Sequence, residues 1–351
     1  MRAVKMPRIC FCILLLLTAP ASLWAQSGKI VIAHRGASGY LPEHTLAAKA
    51  MAHAMGADYV EQDLVMTRDG ELIVLHDLTL ERTTDVAERF PGRARGDGGF
   101  YAIDFDLAEI RQLRAGEGLR LPGGDPVTGD PETHYPNRFP PGLSRFGVAT
   151  FAEEIELIQG LNHSTGREVG IYPEIKQPEF HRAEGRDISS AVIDTLKRYG
   201  YTAKSDKVFL QTFSFAELAI IRGEILPAAG IDIRLVQLVG DPEAYPWMFE
   251  PGGMALLAEQ ADGIGPAHPL IIDPESAPGS LRISGLVERA HAAGLQVHPY
   301  TFRADPGRLP PYAGSFAELL EQHYFTAGVD GAFTDFPDLA VQFLRQARQG
   351  D

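Results

Sequence analysis

Short apolar runs recur along this chain, and polar residues able to do chemistry sit at or just past their ends. Residues 30–33 form one run and lead into His34-Arg35-Gly36. Residues 59–64 form a second, which carries Glu61 and Asp63, and residues 72–75 a third, which ends at His76-Asp77. Runs of this length, rich in Val and Ile, predict buried strands. Between the first two, residues 44–56 predict a helix with Leu46, Ala47, Ala50, Met51 and Ala54 on one side and Gly56 as its stop. Arg68-Asp69-Gly70-Glu71 is a hairpin turn signal that sends the chain back through an extra strand.

From residue 80 to residue 148 the rhythm breaks into a segment rich in Gly, Pro, Arg and Asp with scattered aromatics. A short helix with Asp106 as N-cap is expected within 103–113, whereas 123–141 has no usable period. A structureless loop of that length is unusual in a compact domain, so an inserted small subdomain is expected. The alternation then resumes. Strands are expected at 169–176, 208–213, 233–239, 262–265, 296–301 and 331–335, and helices at 151–159, 188–199, 214–226, 254–260, 284–293, 316–326 and 338–348. With the hairpin strand set aside, eight strands alternate with helices. The expected fold is therefore an α/β (β/α)8 TIM barrel with an extra hairpin strand and an inserted small subdomain at about 80–148. The count alone leaves a doubly wound sheet open.

Composition changes the picture mainly at the N-terminus. Arg2, Lys5 and Arg8 precede an apolar core at 9–18 that is short for a bilayer span, and small residues follow it. Residues 1–27 are expected to be a cleaved signal peptide, cut near 25–27, which predicts a periplasmic or secreted protein. Both cysteines, Cys10 and Cys12, fall inside it, so the remaining chain would form no disulfide. Loss of three basic residues would take the net charge from −14 to −17. Such a charge argues against a nucleic-acid partner or an anionic membrane surface. No stable membrane insertion is expected, and nothing in the pattern sets the oligomeric state.

In a barrel the C-terminal strand ends share one rim, and His34, Glu61, Asp63, Glu174 and Lys176 would meet there. Glu61 and Asp63 are two apart and point to one side of their strand, as do Glu174 and Lys176. Three carboxylates gathered on one rim repel each other unless a cation lies among them, and oxygen ligands suit Ca²⁺ or Mg²⁺. The competing reading is a salt-bridge network with Lys176 and Arg35. His34 and His76 are the candidate acid–base pair. His44 is expected to be structural, at a helix start, and His298 is given no role.

His34-Arg35-Gly36, Pro42-Glu43-His44-Thr45, Glu61-Gln62-Asp63, His76-Asp77, Pro173-Glu174-Ile175-Lys176 and Thr334-Asp335-Phe336-Pro337, in this order, resemble the glycerophosphodiester phosphodiesterase family. The resemblance extends from Ile30 to the last helix, and the insertion is similar to that of the bacterial periplasmic branch. It implies hydrolysis of glycerophosphodiesters, such as glycerophosphocholine and glycerophosphoethanolamine, to sn-glycerol 3-phosphate and an alcohol. It also implies His34 and His76 as catalytic residues and Glu61, Asp63 and Glu174 as ligands of a divalent metal, commonly Ca²⁺. Arg35 and Lys176 would then contact the phosphate. We take His34 as base and His76 as acid. A phospholipase or sphingomyelinase-like lipid phosphodiesterase on the same barrel is the alternative, and a binding protein without catalysis the remaining one.

Overall fold

The computed structural model describes residues 28–118, 135, 137–140 and 145–350. The expected signal peptide and most of the aperiodic stretch at 123–141 lie outside them. Nine strands form one sheet: β1 (Ile30–Ala33), β2 (Tyr59–Met66), β3 (Leu72–Val74), β4 (Gly170–Ile175), β5 (Phe209–Thr212), β6 (Arg234–Val239), β7 (Gly263–Pro266), β8 (Gln296–Val297) and β9 (Gly331–Thr334). The order is β8-β7-β6-β5-β4-β2-β1-β9, all parallel, and β3 pairs antiparallel with β2 in the expected hairpin, Leu64 opposite Val74. The ends of the sheet meet: Asp330 N–H donates to the Val297 carbonyl at 3.0 Å and Phe302 N–H to the Phe333 carbonyl at 2.8 Å. The eight parallel strands thus make a nearly closed (β/α)8 barrel.

Two expected elements differ in extent. The strand expected at 296–301 keeps regular pairing only at Gln296–Val297, because Pro299 has no N–H to give to a ladder. The helix expected at 151–159 runs on to Thr165. It opens with a capping box between Thr150 and Glu153, and Gly166 closes it at φ 69°. The helix expected at 44–56 starts two residues later, at Leu46, with Thr45 as its N-cap.

Alternation along the strands explains both the plug of the barrel and the site above it. Ile32, Tyr59, Tyr172, Phe209, Val236 and Phe333 point inward and pack as one cluster. Tyr172 is its hub, with ring centroids 4.9 Å from both Phe209 and Phe333, and its hydroxyl is paired with His298 Nδ1 at 2.9 Å. His298 is thus a buried histidine of the barrel interior, held through Nδ1, while its Nε2 has no hydrogen-bond partner among the described residues. Gly170 makes room for this layer, since a Cβ there would lie 2.4 Å from the Tyr59 ring. Two residues further along, the same side of each strand faces the rim. Those positions are His34, Glu61, Glu174, Gln211, Leu238 and Asp335.

The described part of the 80–148 segment has its own apolar cluster. Leu80, Val86, Phe100, Phe105, Ile110 and Leu113 pack against Val65, Ile73 and Leu75 of the hairpin. The short helix expected around Asp106 is present as Leu107–Ile110, capped by Asp106 and Glu109.

Candidate active site

The positions just past the plug open into a cavity of about 360 Å³ lined by His34, Arg35, Glu61, Asp63, His76, Glu174 and Lys176, all seven expected site residues. Gln211, Phe213, Tyr300 and Arg303 are among the other residues of its walls.

His34 leaves β1 into a tight turn. Arg35 and Gly36 both adopt left-handed backbone, φ 58° and 89°. A Cβ on Gly36 would come within 2.8 Å of the Ala48 backbone, so glycine is required there. The turn delivers the His34 ring to Asp335 at the end of β9, Nδ1 to Oδ1 2.6 Å. The second oxygen of Asp335 accepts from Arg138 at 2.6 Å and from Arg303 at 2.9 Å. Burial opposes ionisation of Asp335, but Arg303, Arg138 and His34 outweigh it and hold the carboxyl well below its usual range. With Nδ1–H given to Asp335, Nε2 of His34 carries the lone pair on the side left free. Burial, helped by Arg35, lowers the His34 pKa to about 4, so the ring is neutral at neutral pH and able to take a proton.

His76 lines the same cavity and repeats the arrangement. Its Nδ1 meets Asp77 Oδ1 at 2.5 Å, and Asp77 is held in turn by Arg82. Burial, then Arg35 and Lys176, lower its pKa as well.

The carboxylates that line the cavity with the two histidines carry an imbalance. Glu61 is pushed well above the ordinary range by burial and by Asp63. Glu174 is pushed up to about 8 by burial, with Asp63 adding to the shift against the pull of Lys176. Asp63 is also buried, yet Lys176, His76 and His44 hold it well below its usual value. Lys176 Nζ lies 2.8 Å from Glu174 and 3.5 Å from Asp63, and Arg35 Nε lies 3.4 Å from Asp63. Both sequence readings therefore have a structural counterpart: the ion pairs exist, and two acids still lack enough positive charge. The donor set fits a hard divalent cation, which would relieve that repulsion.

His44 stands at the helix start as expected, and its ring also reaches the carboxylate layer. His44 has φ 59°, which turns it inward, and its Nε2 lies 2.8 Å from Asp63 Oδ2. One ligand atom each from His44, Glu61 and Asp63 falls within 4.8 Å of the others, a grouping able to hold a metal. His44 Nδ1 faces the Lys49 ammonium at 3.3 Å, so both ring nitrogens have protein partners. His44 is absent from the cavity wall, whereas Glu174 is part of it.

Lys49 braces this layer from behind. It is fully buried, pairs with Glu154 at 3.1 Å and donates to the Glu61 carbonyl. Lys49→Met should destabilise the fold by roughly 3–5 kcal/mol, because it strands Glu154 without its partner. A lowered urea midpoint with unchanged slope would show this; an unchanged midpoint would mean that the pair contributes nothing.

Asp335, Asp77, Arg138, Arg303 and Gln211 were not picked out from sequence as site residues. For Asp335 and Gln211 a signal existed: each stands two positions past an inward aromatic, Phe333 and Phe209.

Comparison with known proteins agrees with this geometry. A model of the glycerophosphoryl diester phosphodiesterase family matches residues 34–339. The glycerophosphodiester phosphodiesterase of Haemophilus influenzae is 46% identical over 342 residues, 93% of this chain and 92% of that protein. Its namesake from Treponema pallidum is 41% identical over 337 residues, 91% of this chain and 92% of that protein. A phosphodiesterase of Oleispira antarctica, solved in complex with the product sn-glycerol-3-phosphate, matches with a TM-score of 0.59 over 90% of this chain and 96% of that one; at 21% identity this likeness speaks for the fold alone. With a family model spanning the barrel from His34 into its last helix, and relatives above 40% identity over nearly the whole length, this chain belongs to the glycerophosphoryl diester phosphodiesterase family, a family of enzymes.

Proposed function

We propose that this enzyme hydrolyses small glycerophosphodiesters to sn-glycerol 3-phosphate and an alcohol, with His34 and His76 as its proton-transfer pair. The observation that carries the reading is the shared geometry of the two imidazoles. Each gives Nδ1 to a buried or half-buried carboxylate, each lines the same cavity, and three acids line that cavity with them. Positioned imidazoles of this kind move protons efficiently near neutral pH.

In this reading Glu61, Asp63 and Glu174 hold a divalent cation, Ca²⁺ or Mg²⁺, and His44 orients Asp63 rather than binding metal. When bound, that ion supplies positive charge to a phosphoryl oxygen as negative charge builds there. Arg35 and Lys176 offer N–H donors to the same phosphate and fix its position. His34, neutral and backed by Asp335, takes the proton from the attacking hydroxyl, which belongs to water or to the neighbouring glycerol carbon. His76, backed by Asp77, gives a proton to the oxygen of the departing alcohol; the anionic substrate favours its protonated form. The bond between phosphorus and that oxygen breaks: with water as the nucleophile glycerol 3-phosphate remains, and with the glycerol hydroxyl a cyclic phosphate remains, which a water molecule then opens to glycerol 3-phosphate.

Phosphorus NMR of the reaction with glycerophosphocholine tests the reading. The expected products are glycerol 3-phosphate and choline. Phosphocholine and glycerol would place the cut on the other side of the phosphorus and overturn it. Turnover confined to intact lipids would transfer the assignment to a lipid phosphodiesterase. Among the described residues no helix is long and apolar enough to cross a membrane.

A further inference from the structure

A second opening adjoins the catalytic cavity, and His76, Glu174, Lys176 and Phe213 line both. It is a groove of about 710 Å³, larger than the cavity it joins, and His34 lines only the latter. From this arrangement we infer that the groove is the subsite for the departing alcohol and that it selects cationic head groups. The inference rests on the glycerophosphodiester reading above and extends it to the substrate's second half.

The two arms differ in chemistry. The smaller cavity offers Gln211, Tyr300 and Arg303, groups that pair with hydroxyls and suit glycerol. The groove offers Phe213, Tyr245 and Glu179 beyond the shared throat. Phe213 is 40% exposed, and among the described residues it is the one exposed large apolar side chain that also lines the catalytic cavity. Its loop is fixed, because the Tyr245 hydroxyl donates to the Phe213 carbonyl and accepts from the Phe215 N–H, each at 3.1 Å. Glu179 is exposed and is anchored by the Ser214 hydroxyl, so its carboxylate is held on the groove wall.

Charge along this path changes sign. Lys176 stands at the throat, where a phosphate belongs, with its ammonium 5.8 Å from the centre of the Phe213 ring. Beyond it come aromatic rings and the Glu179 carboxylate, the groups that hold an ammonium ion. A zwitterionic phosphodiester, with its ammonium two methylenes from the ester oxygen, matches that order. An alcohol seated there departs past His76, not past His34, in keeping with His76 as proton donor.

The test uses the full chain and two substrates, glycerophosphocholine and the uncharged-head-group analogue glycerophosphoglycerol. The quantity is the ratio of their kcat/KM values in the wild type, Glu179→Gln and Phe213→Leu. Glu179 is exposed, so its substitution should not disturb folding, and the second substrate serves as an internal control. The ratio should fall about fivefold in each variant, the size expected for loss of one exposed ammonium contact. An unchanged ratio in both, with both substrates turned over, would overturn the subsite while leaving the activity intact. A wild type that turns over neither substrate would overturn the activity and the subsite with it.

Discussion

Replacing His34 or His76 with alanine should lower turnover of glycerophosphocholine by roughly 10²–10⁴-fold, the range that a positioned acid or base contributes. The protein should stay folded, because both rings sit at the cavity wall and leave the apolar clusters intact. The two variants should part company on a substrate whose leaving group departs as a stable anion, such as a glycerophosphoryl nitrophenyl ester. That ester needs no proton on its leaving oxygen, so His76→Ala should recover most of its rate. His34→Ala should stay slow on both substrates, because the attacking hydroxyl still has to lose its proton. Recovery in His34→Ala instead would exchange the roles. A folded variant with a near-normal rate on glycerophosphocholine would remove that histidine from the mechanism.

The second large effect is expected at Asp63. Asp63→Asn keeps the shape of the side chain and removes the charge that faces Lys176, Arg35 and His44. Turnover should fall by about 10²-fold or more, the scale of several kcal/mol of lost charge stabilisation. Divalent-ion affinity, read by titration calorimetry without substrate, should fall in parallel. A loss of rate with unchanged ion affinity would make Asp63 an orienting group for Lys176 and Arg35 rather than a ligand.

Much of this site could be read from the chain because strand periodicity places residues. His34 follows an apolar run, and Glu61, Asp63 and Glu174 lie within theirs, at a spacing that keeps them on the inner side of the barrel, and the hairpin that carries His76 was marked by its turn. Contacts between distant segments left weaker traces. Asp335 reaches His34 across 301 positions, and beyond its place in the Thr334-Asp335-Phe336-Pro337 motif only its position two residues past Phe333 hints at that role. Arg138 comes from the aperiodic insertion, yet it pairs with both Asp335 and Asp305, each at 2.7 Å or less. No local pattern points to such a partner. His44 was hidden for another reason. Its neighbours spell a helix start, and only the left-handed backbone at that residue turns the ring toward Asp63. The seventh parallel strand, β8, is shortened because Pro299 breaks the ladder that the apolar pattern implied.

The most direct test is the release of glycerol 3-phosphate from glycerophosphocholine by protein stripped with chelator, followed by separate return of Ca²⁺ and Mg²⁺. Release should vanish on stripping and return with at least one of the two ions. Release that persists through stripping would contradict the assignment of Glu61, Asp63 and Glu174 as a metal site. Absence of release under every condition would contradict the reaction itself.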